Sequence, residues 1–263
     1  MLGNLDVDIK SFKIHSRSLA REVLIDLYFP QDLSKDSSVD LLLVNDGQDL
    51  HKMNFLKLLT EHQADFPLIV IGIHAGKERK QEYGVIGVPD YLGRGALAGA
   101  HADFVIQELL LFFQQTFINL VIRKKYLAGF SLGGLMAFDM LLEHPHLFSA
   151  VGVFSGSFWW RSKALEHGYI EERDRIMHAK IRKHKKQQDL RIFLQTGQLD
   201  ELADRNKNGI IDSIDDTLGI IDELVNVGYN RTDQITYLEL EDGKHDVETW
   251  ARVMPVYLKW LSK

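Results

Sequence analysis

The chain opens with two stretches in which apolar and polar residues alternate, over residues 6–15 and 21–29. Alternation with a period of two is typical of strands that bury one face, and it predicts an antiparallel pair at the start of a sheet. The pattern then changes to apolar runs of Leu, Ile and Val at 39–44 and 68–72. Runs of this kind indicate strands buried on both faces, as in a parallel sheet covered by helices.

From residue 55 onward, segments with helical periodicity alternate with short apolar segments. This order predicts an α/β fold, with a mostly parallel sheet of about eight strands flanked by helices. No internal repeat or Pro/Gly-rich linker interrupts the 263 residues, so we expect a single domain spanning 1–263. The further strands are predicted at 126–129, 150–154, 190–196 and 234–240, and the helices at 55–62, 101–117, 132–144, 217–227 and 247–261.

Charge and composition exclude several classes of protein. The 31 Lys and Arg against 37 Asp and Glu give a formal charge of −6, which argues against nucleic-acid binding, because such surfaces depend on clustered basic side chains. The chain contains no Cys, which excludes disulfides, thiolate metal sites and a Cys nucleophile. No signal-peptide pattern opens it, and no apolar stretch approaches the ~20 residues of a membrane span. We therefore expect a cytoplasmic protein that binds neither nucleic acid nor membranes.

The sharpest local motif is Gly-Phe-Ser-Leu-Gly at 129–133, between a predicted strand and a predicted helix. A serine on such a strand-to-helix turn is lifted out of the sheet, and the flanking glycines let the two chain segments pass closely. We expect Ser131 to act as a nucleophile. The backbone N–H of Leu132, at the start of the helix, would stabilise an oxyanion.

A nucleophilic serine needs a general base and a carboxylate that orients the base, in the chain order Ser, acid, His. Asp200 follows the strand predicted at 190–196, and His245 follows the strand predicted at 234–240. Both loops open at the carboxyl edge of the sheet, where Ser131 emerges. Glu201 is the alternative acid. His74 also follows a strand, but it precedes the serine, so we assign it to the substrate side.

Other loops at this edge supply further candidates. Gly47 would let the backbone turn so that the N–H of Gln48 becomes the second oxyanion donor, although a plain turn is the alternative. The remaining candidates are polar or aromatic residues that would contact substrate, with surface decoration or core packing as the alternatives. They are Glu82, Tyr83, Trp159 and Trp160.

Four motifs together resemble the Putative esterase branch of the α/β-hydrolases: Asn-Asp-Gly-Gln-Asp at 45–49, the serine motif at 129–134, Gly-Val-Phe-Ser-Gly-Ser at 152–157, and Gly-Lys-His-Asp at 243–246 before Trp250. That branch includes enterochelin, feruloyl and acetyl xylan esterases, S-formylglutathione hydrolases and mycolyltransferases. The resemblance implies an α/β-hydrolase fold, with Ser131 as nucleophile, His245 as base, Asp200 as its partner, and the N–H groups of Gln48 and Leu132 as oxyanion hole. It implies no cofactor for catalysis.

A second pattern, at about 203–216, resembles the twelve-residue calcium loop of dockerins. Oxygen-bearing side chains recur at the first, third, fifth, ninth and twelfth positions of that loop, with a glycine at the sixth. We expect this insertion to hold a structural Ca²⁺ that fixes the loop carrying Asp200. The expected ligands are Asp204, Asn206, Asn208, the carbonyl of Ile210, Asp212 and Asp215.

Taken together, these patterns predict a serine hydrolase that cleaves a small-molecule carboxylic ester through an acyl-enzyme. An acyltransferase would use the same three side chains. A binding module that keeps the fold and the calcium loop without catalysis is the alternative from another class. The sequence leaves the acyl and alcohol parts of the substrate and the oligomeric state open.

Overall fold

A single eight-stranded sheet forms the centre of the computed structural model, which describes residues 6–31, 33, 37–61, 67–186 and 190–263. The strand order is β1-β2-β4-β3-β5-β6-β7-β8. The strands are β1 Val7–Ser16, β2 Arg21–Pro30, β3 Ser38–Asn45, β4 Leu68–Ile73, β5 Val121–Phe130, β6 Ala150–Phe154, β7 Arg191–Leu199 and β8 Ile235–Lys244. The predicted α/β-hydrolase architecture, with a mostly parallel sheet, is therefore confirmed.

The two antiparallel strand pairs lie at one side of the sheet. β1 pairs with β2 and β2 with β4 in antiparallel register, whereas β4, β3, β5, β6, β7 and β8 run parallel to their neighbours. Because the last four strands are parallel and adjacent, the residues that follow them emerge at the same edge. This arrangement brings distant parts of the sequence together.

Helices cover both faces of the sheet. α1 and α9 pack on one face, and the π-helical segment with α4, α5, α7 and α8 packs on the other. α5 is buried almost all round, which explains its Gly, Ala, Met and Leu content. The helices are α1 Phe55–Glu61, α2 Arg79–Glu82, α3 Ala98–Asp103, a π-helical segment Phe104–Leu109, α4 Leu110–Thr116, α5 Leu132–Glu143, α6 Glu171–Asp174, α7 Ile176–Ile181, α8 Asp212–Asn226 and α9 Val247–Leu261.

Several element boundaries differ from the sequence prediction. β5 begins five residues earlier than predicted, because Arg123 and the two lysines after it interrupt the apolar pattern between Ile122 and Tyr126. α8 begins at Asp212, inside the predicted calcium loop. α2 occupies a segment that was predicted as a loop, and the short helices α6 and α7 were not predicted. The last residue of the helix predicted at 55–62 lies outside the described residues.

Candidate active site

Four consecutive strands each end immediately before a polar residue of one cleft. Ser131 follows β5, Ser155 follows β6, Asp200 follows β7 and His245 follows β8. These four residues border a cleft of about 350 Å³. The complete lining is Ser131, Ser155, Gly156, Ser157, Trp159, Asp200, Glu201, Ser213 and His245. The structure thus brings together the three side chains that sequence reasoning assigned to nucleophile, acid and base.

Ser131 occupies a strained turn between β5 and α5. Its backbone angles are φ 53° and ψ −120°, a conformation that L-residues rarely adopt. The turn is held because the Ser131 N–H donates to the Phe154 carbonyl at 2.8 Å. A Cβ on Gly129 would lie 2.3 Å from the carbonyl oxygen of Gly133, so only glycine allows the strand and the helix to approach this closely. The flanking glycines therefore serve the purpose that the motif predicted.

The loop after β3 packs against the start of α5. The Asn45 side-chain amide donates to the Gly133 carbonyl at 3.0 Å, which joins this loop to the turn of the nucleophile. Gln48 lies in a 3₁₀ turn and Leu132 begins α5, and the first N–H groups of a helical turn have no partner within it. Both backbone donors are therefore on elements that the Asn45 contact ties together.

The structure corrects the predicted reason for Gly47. The left-handed backbone that makes the turn belongs to Asp46, with φ 61°, and not to the glycine. A Cβ on Gly47 would lie 2.2 Å from the carbonyl carbon of Gly72. The glycine is required because the loop passes directly over β4, not because it needs a positive φ.

Arg79 is a charged residue at the site to which sequence reasoning gave no role. Its guanidinium binds the buried Asp46 carboxylate with two hydrogen bonds of 2.6 and 2.7 Å. Burial raises the pKa of Asp46, and the Arg79 hydrogen bonds oppose that shift. The ion pair holds Asp46 in its left-handed conformation next to Gln48. Its signal in the sequence is weak, because it depends on a contact between residues 33 positions apart.

The two adjacent carboxylates, Asp200 and Glu201, have different partners. Asp200 is 9% exposed, and its Oδ2 accepts the Gly197 N–H at 3.1 Å, while its Oδ1 has no hydrogen-bond partner among the described residues. Burial raises the pKa of Asp200, and the Gly197 N–H, the Ser155 hydroxyl and His245 oppose this. Burial and the Asp212 charge raise the pKa of Glu201, and the Ser213 N–H in the first turn of α8 opposes this; the Glu201 Oε1 also has no hydrogen-bond partner among the described residues. Asp200 and His245 each shift the pKa of the other, which favours Asp200 as the carboxylate that acts on the imidazole.

His245 lies at the rim of the cleft, against an aromatic side chain. Its ring meets the Trp250 ring edge to face, with 5.4 Å between centroids. The surrounding protein lowers the pKa of His245 by desolvation, and the Arg79 charge adds to this, while Asp200 and Asp246 oppose it. A lowered pKa keeps the imidazole neutral, which is the form a general base needs.

No hydrogen bond among the described residues joins His245 to Ser131 or to Asp200. The Ser131 Oγ instead lies 3.3 Å from the Ser157 Oγ. Hydrogen bonds between nucleophile and base are often long in a free enzyme and shorten when substrate binds. The three side chains share a cleft, and a proton can pass between them once these hydrogen bonds have formed.

The predicted substrate-side residues fall into two groups. Trp159 lines the cleft, and the Arg94 guanidinium lies 5.0 Å above its ring. Glu82, Tyr83 and Trp160 are buried away from the cleft. Their partners are as follows: Glu82 binds Arg21 at 2.6 Å, the Tyr83 hydroxyl accepts the Asp46 N–H at 3.3 Å, and the Trp160 Nε1 donates to the Val88 carbonyl at 3.3 Å.

His74 also has a partner outside the cleft. Its Nε2 lies 2.6 Å from the Asp26 Oδ2, and the His51 Nε2 lies 2.9 Å from the same oxygen. The Asp26 carboxylate is almost fully buried, so these contacts fix both rings at the side of the oxyanion loop. The structure therefore gives His74 a packing role beside the loop that carries Gln48.

The segment predicted to bind calcium is folded by its own hydrogen bonds. The Asp204 carboxylate accepts the N–H groups of Asn208 and Gly209 at 3.1 and 2.9 Å, and the amides of Asn206 and Asn208 donate to Asp215 at 3.1 and 3.2 Å. The Asp212 carboxylate, at the ninth position of the loop, accepts the Arg205 backbone N–H at 2.9 Å and lies 3.2 Å from the Arg205 guanidinium. Within the described ranges, no group of three or more His, Asp or Glu side chains is arranged to hold a metal ion. The calcium site stays a prediction from the spacing.

In the described part of the chain, no helix has both the length and the apolar character that a membrane crossing needs.

Comparison with known proteins gives a family and a fold. The family model described as Putative esterase matches residues 16–261. The uncharacterized protein YbbA of Bacillus subtilis strain 168 is 27% identical over 146 residues, which cover 52% of this chain and 58% of YbbA. The crystal structure of the enterobactin esterase FES from Shigella flexneri matches with a TM-score of 0.70 and 19% identity, over 97% of this chain and 59% of that chain.

A third match has nearly the same length as this chain. The siderophore hydrolase EstB from Aspergillus nidulans matches with a TM-score of 0.68 and 18% identity, over 98% of this chain and 95% of that chain. By contrast, the chain spans less than two thirds of YbbA and of the Shigella enzyme. At these identities the structural matches show a shared fold.

Proposed function

The chain belongs to the Putative esterase family, and on that premise we propose that it hydrolyses a carboxylic ester, with Ser131 as nucleophile, His245 as general base and Asp200 as the carboxylate that orients the base. One observation carries the proposal: a serine in a strained strand-to-helix turn shares a cleft with an imidazole and a buried carboxylate from neighbouring strand ends. A structural serine would not require that strain.

The proposed reaction proceeds in two halves. His245 accepts the proton of the Ser131 hydroxyl as the oxygen attacks the ester carbonyl, and then returns that proton to the departing alcohol. Water then attacks the acyl-enzyme as the same imidazole accepts its proton, and the imidazole passes that proton to the Ser131 oxygen as the acid leaves. Asp200 holds the imidazole in the tautomer that accepts on the nitrogen facing Ser131, and its charge stabilises the imidazolium that forms.

The oxyanion of each tetrahedral intermediate would be stabilised by the backbone N–H groups of Leu132 and Gln48. Removal of one such donor in serine hydrolases costs about 10²–10³ in kcat, so the positions of these two amides are as important as the nucleophile. The contact between Asn45 and Gly133 supports this assignment, because it fixes the loop of Gln48 to the start of α5.

The substrate we propose carries a polar group next to the ester. Four serines, two carboxyl groups and an imidazole line the cleft, and Trp159 is its one large apolar side chain among the described residues. A polar lining favours substrates that make hydrogen bonds over plain aliphatic acyl chains. Two of the matched proteins are named as an enterobactin esterase and a siderophore hydrolase, which places polar esters among the substrates to test.

Ester hydrolysis is tested with a p-nitrophenyl ester panel that ranges from acetyl to longer and to hydroxylated acyl groups. We expect turnover by the wild-type protein and its loss in Ser131→Ala. Addition of competing alcohols distinguishes hydrolysis from acyl transfer, since a transferase would form the new ester as its main product. Absence of Ser131-dependent turnover across the panel would favour a non-catalytic binding module.

We further propose, from the spacing of the loop at 204–215, that it binds Ca²⁺ and thereby steadies the strand end that carries Asp200. Asp204 and Asp215 with the two asparagine amides would supply the oxygen ligands that Ca²⁺ prefers. Calcium should raise the Tm of the wild-type protein and not that of Asp204→Asn. An equal Tm with calcium and with a chelator would refute the metal site and leave the esterase proposal untouched.

A further inference from the structure

Ser155 is a buried residue of the cleft that the proposed reaction does not use. It follows β6, is 1% exposed, and has a left-handed backbone with φ 46°. Its N–H donates to the Gln195 carbonyl at 2.8 Å, which fixes the backbone in this conformation. A non-glycine residue held in this region is uncommon and is most often found at functional sites. The strain therefore indicates a role for Ser155 in the cleft.

The Trp250 indole determines the direction in which the Ser155 hydroxyl can donate. The Trp250 Nε1 lies 3.1 Å from the Ser155 Oγ, and an indole nitrogen can only donate. The hydroxyl therefore accepts from Trp250, and its own proton is free to be donated. Asp200 borders the same cleft, its buried Oδ1 has no hydrogen-bond partner among the described residues, and the Ser155 hydroxyl lowers the pKa of Asp200. The free proton of Ser155 and the unpartnered oxygen of Asp200 therefore border one cleft.

Trp250 also contacts the elements of the other two side chains. Its ring stacks on Phe130, the residue before Ser131, with 5.1 Å between centroids. Its opposite contact is the edge-to-face packing on His245 at 5.4 Å. The indole is 6% exposed in the first turn of α9, so its position is fixed by the core. One side chain therefore packs on the base, stacks on the residue before the nucleophile and donates to the Ser155 hydroxyl.

We propose that Ser155 donates its free proton to the Asp200 carboxylate, and that Ser155 and Trp250 are positioning residues that hold this carboxylate and the His245 imidazole in register with Ser131. This inference rests on the proposed esterase function. Neither residue contacts the reacting atoms, and each acts through Asp200 or His245. This role depends on which group the Ser155 hydroxyl donates its proton to. Ordinary core packing would not depend on that.

Removal of the Ser155 hydroxyl should change how tightly the acid and base hold their proton. A carboxylate that loses a donated hydrogen bond is a stronger proton acceptor, so the Asp200–His245 pair stays protonated to higher pH. The other charges around the pair are Arg79, Glu201 and Asp246, and all of them are retained. The midpoint of the acid limb of kcat/KM should therefore move to higher pH.

The experiment uses Ser155→Gly, Trp250→Phe and the double variant. Glycine tolerates the positive φ, so the first change removes the hydroxymethyl side chain without adding backbone strain, and phenylalanine keeps an aromatic ring while removing the N–H. Ser155→Gly should lower kcat by about 10- to 100-fold with KM changed less than about threefold, because a hydrogen bond to a charged group is lost. The double variant should be no slower than Ser155→Gly within about twofold, since the indole N–H acts through the hydroxyl.

Trp260→Phe is the matched control. Trp260 lies in the same helix and its Nε1 donates to the Thr236 Oγ1 at 2.9 Å, away from the cleft. It should change Tm without changing the pH profile. If Trp250→Phe and Ser155→Gly lower kcat additively, or shift the profile no more than Trp260→Phe does, the positioning role is refuted.

A readout without turnover separates this inference from the esterase proposal. The His245 imidazole is titrated by NMR in Ser131→Ala, with and without Ser155→Gly. The added change should move its titration midpoint to higher pH. An unchanged midpoint overturns the inference even when the wild-type protein is an active esterase, whereas a shifted midpoint in a protein without Ser131-dependent turnover would refute the esterase proposal alone.

Discussion

Replacement of Asp200 by asparagine is the change that most clearly separates the two adjacent carboxylates. The variant keeps the size of the side chain and removes its charge. The amide nitrogen would face the imidazole in the place of an acceptor, which favours the wrong tautomer of His245. Glu201→Gln is the matched control, because the groups that most shift the pKa of Glu201 belong to α8 or are Asp200, whereas His245 acts on the pKa of Asp200.

The size of the effect follows from the lost ion pair. An imidazolium and a carboxylate about 4 Å apart attract each other by about 4 kcal/mol at an effective dielectric constant near 20. That energy is available only when His245 is protonated, as in the transition state, so its loss corresponds to about 10³-fold in kcat. Glu201→Gln leaves this interaction in place, and we expect its kcat to fall by less than about fivefold.

The assay is steady-state hydrolysis of the best p-nitrophenyl ester, with Tm measured for both variants. Asp200→Asn should lose kcat while its Tm stays close to that of Glu201→Gln. If Glu201→Gln lost activity by a factor of a thousand and Asp200→Asn kept most of it, Glu201 would be the orienting carboxylate, and the reasoning from their different partners would be refuted.

Three further predictions concern the base and the oxyanion loop. Because the pKa of His245 is lowered and the base must be neutral, the acid limb of kcat/KM should have its midpoint below the ordinary histidine value of about 6.5, and a midpoint above it would contradict the assignment. Gly47→Ala should cost about 2–3 kcal/mol in urea unfolding because its Cβ meets the backbone of β4, whereas Gly99→Ala in α3, where the added methyl meets open space, should be neutral or stabilising. Arg79→Met leaves the buried Asp46 carboxylate unpaired and should cost about 3–5 kcal/mol, and a smaller loss in the same unfolding experiment would show that Asp46 finds another partner.

Much of the fold could be predicted from local pattern. β6 and α9 match their predicted ranges, because each is an apolar run or an amphipathic segment bounded by turn residues. The first half of β5 could not be predicted, since Arg123 and its lysine neighbours lie on a partly exposed strand whose register is set by pairing with β3. Tertiary contacts override local composition at such positions.

The candidate site shows the same division. Ser131, Asp200 and His245 could be located because each directly follows a strand and chain order restricts the choice. The burial of Glu82, Tyr83 and Trp160 could not be foreseen, because polar or aromatic character does not indicate whether a loop residue faces the cleft or the core. Their partners are up to 72 positions away, and no sequence period records such contacts.

The roles of Arg79 and Ser155 were missed for a related reason. Arg79 lies in a polar segment where any charged residue would fit the pattern, and its ion pair with Asp46 depends on the packing of the oxyanion loop. Ser155 belongs to a motif that served only to indicate the family. Its left-handed backbone and its bond to Trp250 are properties of the folded edge of the sheet.

The central claim is that Ser131 is the nucleophile, and the most direct measurement is the mass and the position of a fluorophosphonate adduct. Peptide mass spectrometry should find one adduct per chain, on Ser131, at a rate that falls sharply in His245→Ala. Ser157→Ala is the control, because its hydroxyl lies 3.3 Å from that of Ser131 and is the nearest competing site. Labelling of Ser157 in place of Ser131, or ester hydrolysis that persists in Ser131→Ala, would contradict the account.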